Sequence, residues 1–154
     1  MRYRIVAVGR VGHGYARDGC ERYLKRLRAL APTEIVEVRA ARASAADAVR
    51  RQEAEALLAA VPSAQRVVAL DERGRAFTTN ALAGHVTRWE LRGVSKIAVL
   101  IGGAEGLDDA VRERADETWS LSPLTYPHDL ARLVLLEQLY RIETLRSGHP
   151  YHRD

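Results

Sequence analysis

Short apolar runs alternate along the chain with longer segments in which apolar residues recur every three or four positions. The short runs are typical of β-strands, and they lie at 4–8, 34–38, 66–70, 96–101 and 117–121. The longer segments predict helices at about 15–30, from about 44 to before Pro62, around 82–89, from about 108, and at about 129–146. This alternation favours an α/β fold in which helices cover a parallel sheet.

Local signals sharpen some of these boundaries. Ser44 and Asp47 have the spacing of a capping box, with aspartate in the place of the usual glutamate, which predicts a helix start at Ser44. The segment 71–74, Asp-Glu-Arg-Gly, predicts a tight turn that ends the third strand. The run 96–101 is apolar almost throughout, so we expect that strand in the middle of the sheet.

The composition is that of one ordinary globular domain, which we expect to span residues 1–154. Cys20 is the single cysteine, so no disulfide can form within the chain. No segment is long and apolar enough to cross a bilayer, and the apolar run 5–8 is too short for the core of a signal peptide. We therefore expect a cytoplasmic protein that does not act in a membrane.

Arginine dominates the basic residues. The formal net charge is +4, and nearly all of the 24 basic residues are arginines. Arginine side chains suit phosphate groups and stacked bases, so one interpretation is an RNA-binding surface. The other interpretation is a GC-rich genome that encodes arginine in place of lysine, and charge alone does not separate the two.

A glycine-rich loop follows the predicted central strand. Gly102, Gly103 and Gly106 fall within five residues, where a ligand commonly binds in open α/β sheets. Glycines allow the backbone to approach a ligand closely, although the same residues would also suit a simple chain reversal. The sequence favours a binding loop over a plain turn here.

Common catalytic motifs are absent from the sequence. There is no phosphate-binding G-x-x-x-x-G-K-[ST] pattern and no G-x-S-x-G pattern. The glycines at 9–14 follow the first strand in the wrong order for a dinucleotide fingerprint, which leaves a nicotinamide enzyme as a remote alternative. His149 and His152 flank Pro150 without further ligands nearby, so no metal site is expected.

The last helix and the tail behind it are further candidates. Apolar residues cover the helix 129–146 on most sides, which indicates core burial, a dimer interface, or both. The tail carries Tyr151, His152 and Arg153, whose side chains suit base stacking, proton transfer and phosphate contact. Taken alone, the tail favours a frayed polar terminus, which is what most chain ends are.

Four motifs in order give the chain a resemblance to a known family. They are Ile-Gly-Gly-Ala-Glu-Gly-Leu at 101–107, Ser-Leu-Ser-Pro-Leu-Thr-Tyr-Pro-His at 120–128, Leu-Glu-Gln-Leu-Tyr-Arg at 136–141 and His-Pro-Tyr-His at 149–152. Together they closely resemble the RlmH-type ribosomal RNA large subunit methyltransferases of the SPOUT superfamily. The resemblance covers the whole chain and is most specific from 96 to 154.

The resemblance implies a parallel sheet with flanking helices whose C-terminal part forms a trefoil knot, an exception to the usual rules of chain connection. It implies S-adenosyl-L-methionine as the cofactor and a homodimer with active sites at the subunit interface. It also implies a substrate: N3 of a pseudouridine, position 1915, in 23S ribosomal RNA of the large subunit. We expect this RNA to be methylated within the assembled ribosome, although the sequence does not decide between the ribosome and free RNA.

Matching the motifs position by position places the cofactor pocket and the catalytic residues. The implied cofactor-binding residues are Leu70, Gly102, Leu121, Ser122, Pro123, Leu124, Thr125 and Tyr126. The implied catalytic residues, close to the acceptor base, are His128, Tyr151, His152 and Arg153. Glu105 matches the polar position of the glycine loop, whereas the segment 9–14 matches poorly and receives no role.

Methyl transfer to N3 requires the loss of a proton, and a neutral histidine is the natural base. His128 and His152 both qualify, and the sequence does not choose between them. The alternative from another class is a non-catalytic RNA-binding or ribosome-associated protein, which would have basic residues and no affinity for the cofactor.

Overall fold

A five-stranded sheet forms the centre of the fold in the computed structural model, which describes residues 1–12, 14–61, 66–148 and 151. All neighbouring strands are parallel, in the order β2-β1-β4-β3-β5. The strands are β1 (Arg2–Val8), β2 (Thr33–Val38), β3 (Arg66–Ala76), β4 (Lys96–Ile101) and β5 (Glu117–Ser120). The parallel order brings the carboxyl ends of all five strands to one edge of the sheet.

Helices connect the strands and cover both faces of the sheet. They are α1 (Tyr15–Arg28), α2 (Ala46–Ala59), α3 (Thr79–Leu91), α4 (Asp109–Arg114) and α5 (His128–Arg146). One hydrophobic cluster lies between the sheet and α1, α3 and α5, and a second lies between the sheet and α2 and α4. Strand β4 is central and buried from Ile97 to Ile101, because helices cover both of its faces.

These features confirm the predicted α/β class with a parallel sheet and flanking helices. The trefoil knot implied by the resemblance stays a prediction, and so does the assignment of residues 1–154 to one domain. Within residues 1–12, 14–61, 66–148 and 151, no helix combines the length and the apolar character needed to span a membrane.

The predicted capping box at the start of α2 is wrong. The helix begins at Ala46 with Ala45 as its N-cap residue, and no side chain caps it. Ser44 lies one residue too early to accept a hydrogen bond from the first turn. Asp47 instead forms an ion pair with Arg50, one turn further along the same helix.

The prediction that a tight turn at 71–74 ends the third strand is also wrong. Strand β3 continues to Ala76, and the four residues 71–74 form an irregularity in its pairing with β5. Leu70 and Arg75 both pair with Trp119, so the intervening residues bulge out of the ladder. A Cβ atom on Gly74 would lie 2.7 Å from the backbone of Thr118, which requires glycine where the bulge rejoins the sheet.

A buried hydrogen bond joins the first strand to the last helix. The Tyr3 hydroxyl donates to Oε1 of Glu143 over 2.5 Å, and both residues are buried. Burial and the adjacent carboxylate raise the pKa of Tyr3 well above its usual value, so the hydroxyl keeps its proton. Glu143 is also paired with Arg146, which reaches Glu90 of α3. The interaction ties β1, α3 and α5 together on one face of the sheet.

We predict that Tyr3→Phe lowers the free energy of unfolding by about 1.5–3 kcal/mol, because a buried carboxylate loses its hydrogen-bond donor. Tyr15→Phe is the matched control, since Tyr15 is 72% exposed. Urea denaturation at neutral pH measures both variants. Equal stabilities of the two variants would contradict the prediction.

Candidate functional site

A cavity of about 740 Å³ lies at the carboxyl edge of the sheet. Its walls come from the end of β4 with the glycine loop 102–107, the bulge of β3, the segment 121–126 after β5, and the first turns of α2, α4 and α5. Cavities of this size hold cofactors and small ligands. The parallel topology therefore gathers segments that are far apart in the sequence around one site.

The glycine loop is compact because its own backbone leaves no room for side chains. A Cβ atom on Gly102 would lie 2.8 Å from the carbonyl carbon of Gly106 and 3.1 Å from Cδ2 of Leu107. The amide of Gly106 donates to the carbonyl of Gly103, and Gly106 has a φ of +78°. A larger residue at 102 would therefore distort the loop itself before it reached any ligand.

Arg112 of α4 connects the glycine loop to the bulge of β3. Its Nη1 atom donates to the Leu107 carbonyl over 2.8 Å and to Oδ2 of Asp71 over 3.1 Å. Asp71 also accepts two hydrogen bonds from the Arg73 guanidinium, each 2.9 Å long. These contacts lower the pKa of Asp71 from its ordinary 3.8 to about 2, with the hydrogen bond from the Arg73 side chain as the largest cause.

The segment after β5 is held in place by three hydrogen bonds. The Ser120 hydroxyl donates to the Ser122 carbonyl over 2.9 Å, and Oγ of Ser122 accepts from the amide of Leu124 over 3.0 Å. The Thr125 hydroxyl donates to Oε2 of Glu72 in the bulge over 2.8 Å. The segment and the bulge are therefore joined directly, and Leu124 lines the cavity with an exposed side chain.

His128 is the first residue of α5, and it lines the same cavity. Its Nε2 atom lies 3.0 Å from Oδ1 of the neighbouring Asp129. The other carboxylate oxygen of Asp129 accepts a hydrogen bond from the amide of Gly12, 3.3 Å away. The half-exposed imidazole therefore lies beside a carboxylate that also contacts the amide of Gly12.

Most of the residues implied by the resemblance lie together in this cavity. The lining includes Leu70, Gly102, Leu121, Ser122, Leu124, Thr125, Tyr126 and His128. Pro123 is part of the same segment but does not line the cavity. His152 and Arg153 lie outside the described residues.

Tyr151 lies elsewhere, against α1 and α5. Its ring centre is 4.6 Å from that of Tyr140, and its hydroxyl is 3.5 Å from the Tyr23 hydroxyl and 3.4 Å from Oε1 of Glu137. Burial and the Tyr23 hydroxyl raise the pKa of Tyr151 to about 12, so this phenol is protonated at neutral pH. Within one copy of the chain, Tyr151 and the cavity are therefore separate.

The charge of the cavity differs in sign from that of the whole chain. Six carboxylate side chains and four guanidinium groups line it, while the chain as a whole is basic. The acidic residues are Asp47, Asp71, Glu72, Glu105, Asp108 and Asp109, and the basic ones are Arg50, Arg51, Arg73 and Arg112. An excess of carboxylates suits a cationic ligand better than a polyanionic one such as a dinucleotide.

The sequence analysis does not identify the charged residues that line this cavity. It predicts a turn at Asp71 and Glu72, although their position directly after a buried strand is a usable signal of a binding site. Arg112 and the α2 residues carry no motif. Their proximity to the glycine loop depends on the order of strands in the sheet.

The fold and the cavity define an α/β enzyme that binds a small ligand at the carboxyl edge of a parallel sheet. A family model described as "Predicted SPOUT methyltransferase" matches residues 1–152, and this chain belongs to that family. A Thermus thermophilus protein named "Ribosomal RNA large subunit methyltransferase H" is 50% identical over 153 residues, covering 99% of both chains. An Anaeromyxobacter protein of the same name is 50% identical over 154 residues, covering 99% of this chain and 100% of its own.

A solved structure shows the same fold at low sequence identity. It is a probable methylase family protein from Haemophilus influenzae, with a TM-score of 0.57 and 14% identity. The match covers 99% of this chain and 70% of that one. This likeness supports the fold and nothing about the ligand.

We predict that the Asp71 interactions stabilise the protein in a pH-dependent manner. The pKa of Asp71 is depressed in the folded state, so its contribution is complete above about pH 4 and is lost as the pH falls toward 2. The difference in unfolding free energy between wild type and Asp71→Asn should therefore shrink across that range. Denaturant unfolding at several pH values measures it, with Glu113→Gln on the exposed side of α4 as the control. A difference that is constant with pH would contradict the assignment.

Proposed function

We propose that this chain is an enzyme that transfers a methyl group from S-adenosyl-L-methionine to ribosomal RNA of the large subunit. The observation that carries the proposal is that the most specific motifs of the family line one cavity. The chain is also 50% identical, along nearly its full length, to relatives named for this activity. The finer proposal is that the acceptor is N3 of a pseudouridine in 23S ribosomal RNA. A ribosomal substrate puts the activity in the cytoplasm.

The residues of the cavity fit this cofactor. S-adenosyl-L-methionine carries a positive sulfonium, and carboxylates outnumber guanidinium groups in the lining. Leu70, Leu121 and Leu124 offer apolar surface for an adenine ring, and Leu124 is 67% exposed in the free chain. The backbone of 121–126 offers hydrogen-bonding groups at the same wall. A volume of about 740 Å³ is sufficient for a ligand of this size.

The cofactor, when bound, supplies an activated methyl group, and the chain supplies position and electrostatics. The glycine loop and the 121–126 segment orient the ligand between two walls that Arg112 and Thr125 keep in register. His128 lines the cavity with a half-exposed side chain, and we assign it to the place where the acceptor base enters.

The proton on N3 of the acceptor must leave for transfer to occur. His128 and His152 are the candidate bases. Tyr151 is not, because a phenol keeps its proton at neutral pH. We assign Tyr151 to contact with the acceptor base, and Arg153 to the developing anion or a phosphate.

Most of the basic residues of the chain lie outside the cavity. Arg10 and Arg39 are exposed directly after β1 and β2, and Arg42 is exposed in the segment that follows β2. Such arginines bind phosphate. A non-catalytic RNA-binding protein would explain these residues but not membership of a methyltransferase family.

We further propose a homodimer that completes each active site. A groove of about 450 Å³ between α1 and α5 is lined by the apolar side chains of Leu130, Leu133 and Val134 and also by the charged side chains of Asp18, Arg22, Arg26 and Glu137. Core packing explains the buried residues of α5, whereas Leu130, Leu133 and Val134 are only partly covered. Because Tyr151 does not line the cavity of its own chain, a second copy packed on this groove would have to bring the tail to it.

The first prediction of this proposal tests whether Leu124 contacts the cofactor. We expect Leu124→Ala to weaken S-adenosyl-L-methionine binding by roughly 10- to 100-fold, since covering a leucine side chain contributes about 1.5–3 kcal/mol. Folding stability should not change, because the side chain is already exposed. Leu91→Ala is the matched control: Leu91 is 82% exposed on α3, away from the cavity. Calorimetry that finds equal affinities for the two variants would contradict the assignment of Leu124 to the cofactor site.

The second prediction tests the dimer. Light scattering at micromolar concentration should report about twice 17.1 kDa for the wild type. Val134→Glu should shift the protein to the monomer, since it replaces one of the three apolar α5 residues of the groove with a charge. Leu91→Glu puts the same charge on an exposed site of α3 and should remain dimeric. A monomeric wild type would refute the shared active site.

The third prediction tests the tail. Deletion of 152–154 should reduce tritium transfer from labelled cofactor to unmodified ribosomes by at least ~100-fold, the scale for losing a general base. Tyr151 is retained, because its ring packs on Tyr140 and its removal would disturb the fold. His152→Ala and His128→Ala, measured separately, identify the base. Near-normal rates in the truncated protein would leave the tail without a catalytic role.

A further inference from the structure

Glu53 of α2 is a buried carboxylate with an unused oxygen. Only 4% of the residue is exposed. Its Oε1 atom accepts a hydrogen bond from the amide of Ala41 over 3.2 Å, whereas Oε2 has no hydrogen-bond partner among the described residues. A buried charge without compensation is costly, so a second oxygen left this way calls for an explanation.

The carboxylate lies directly against the cofactor cavity. Gly103 lines the cavity, and a Cβ atom on Gly103 would lie 2.9 Å from Oε2 and 3.2 Å from Oε1 of Glu53. Only a glycine backbone therefore separates the two, and the loop passes close to Glu53 because residue 103 has no side chain. The charge of Glu53 is close enough to act on a ligand that it does not touch.

The carboxylate of Asp71, which lines the cavity, is neutralised by its neighbours. Asp71 interacts with both Arg73 and Arg112. Arg50, one turn before Glu53 on α2, pairs with Asp47 instead. Among the described residues, no direct ion pair cancels the charge of Glu53, so its field is available to the cavity.

We propose that Glu53 supplies the negative charge that makes the cavity prefer the sulfonium cofactor over its neutral demethylated product. This rests on the proposed function. S-adenosylmethionine and S-adenosylhomocysteine differ by a methyl group and by one positive charge at sulfur. A buried carboxylate behind the glycine loop stabilises the first and not the second. Glu53 thus determines ligand preference and assists product release without touching the reacting atoms.

The test compares the two ligands in matched variants. Glu53→Gln keeps the size of the side chain and an oxygen to accept from Ala41, but it removes the charge. Its affinity for S-adenosylmethionine, measured by calorimetry, should fall on the order of tenfold, the scale for unit charges roughly 10 Å apart at an effective dielectric constant of about 20. Its affinity for S-adenosylhomocysteine should stay within about twofold. Glu55→Gln, an exposed neighbour on the same helix, should change neither affinity.

Each other outcome has a definite meaning. An equal loss for both ligands would make Glu53 a structural residue and overturn the inference, as would no change for either. A wild type that binds neither ligand would refute the proposed function itself, and the inference with it. If circular dichroism shows that Glu53→Gln does not fold, Glu53→Asp replaces it, because the shorter side chain keeps the charge but withdraws it from Gly103. A loss confined to the charged ligand then supports the inference, and an equal loss overturns it.

Discussion

The site depends on a mismatch between two neighbouring strands. Leu70 and Arg75 both pair with Trp119, so β3 carries four residues that β5 cannot accommodate. Those residues leave the sheet at its carboxyl edge and take Asp71 and Glu72 to the cavity. Arg112 then binds the bulge to the glycine loop, and Thr125 binds it to the segment after β5. Without the bulge, the two binding loops would have no common support.

A second polar network supports the first turns of α5, which carry His128. Arg132 of α5 is 2% exposed, and its guanidinium donates to Oε1 of Glu37 over 2.5 Å and to the Gly9 carbonyl over 2.9 Å. The amide of Gly12 donates to Asp129, beside His128. Gly9 and Gly12, for which the sequence suggested no role, therefore contact the first turns of α5. In our proposal they support the helix that carries His128 and take no part in binding a dinucleotide.

The sequence predicted well what depends on periodicity and on local chain signals. The strand 96–101 was predicted to the residue, and its central place followed from its continuous apolar character. The end of β3 was missed, because a charged stretch ending in Gly74 has the composition of a turn whether or not the strand resumes afterwards. Gly74 is needed for close contact with the backbone of β5, which no single-sequence pattern reveals. Glu53 was missed for a related reason: its neighbour Gly103 is fifty residues away, and only the sheet order brings them together.

The late position of β5 in the chain affects how the protein matures. The bulge exists only when Leu70 and Arg75 are both paired with Trp119, so the cavity has no defined shape until β5 has docked. Pairings between distant segments form slowly in folding, and nothing earlier in the chain substitutes for them. The complete cavity therefore forms only after residues 117–120 have been synthesised and have paired with β3. In our proposal the cofactor binds only this finished form, and so it stabilises that form over incomplete ones by mass action.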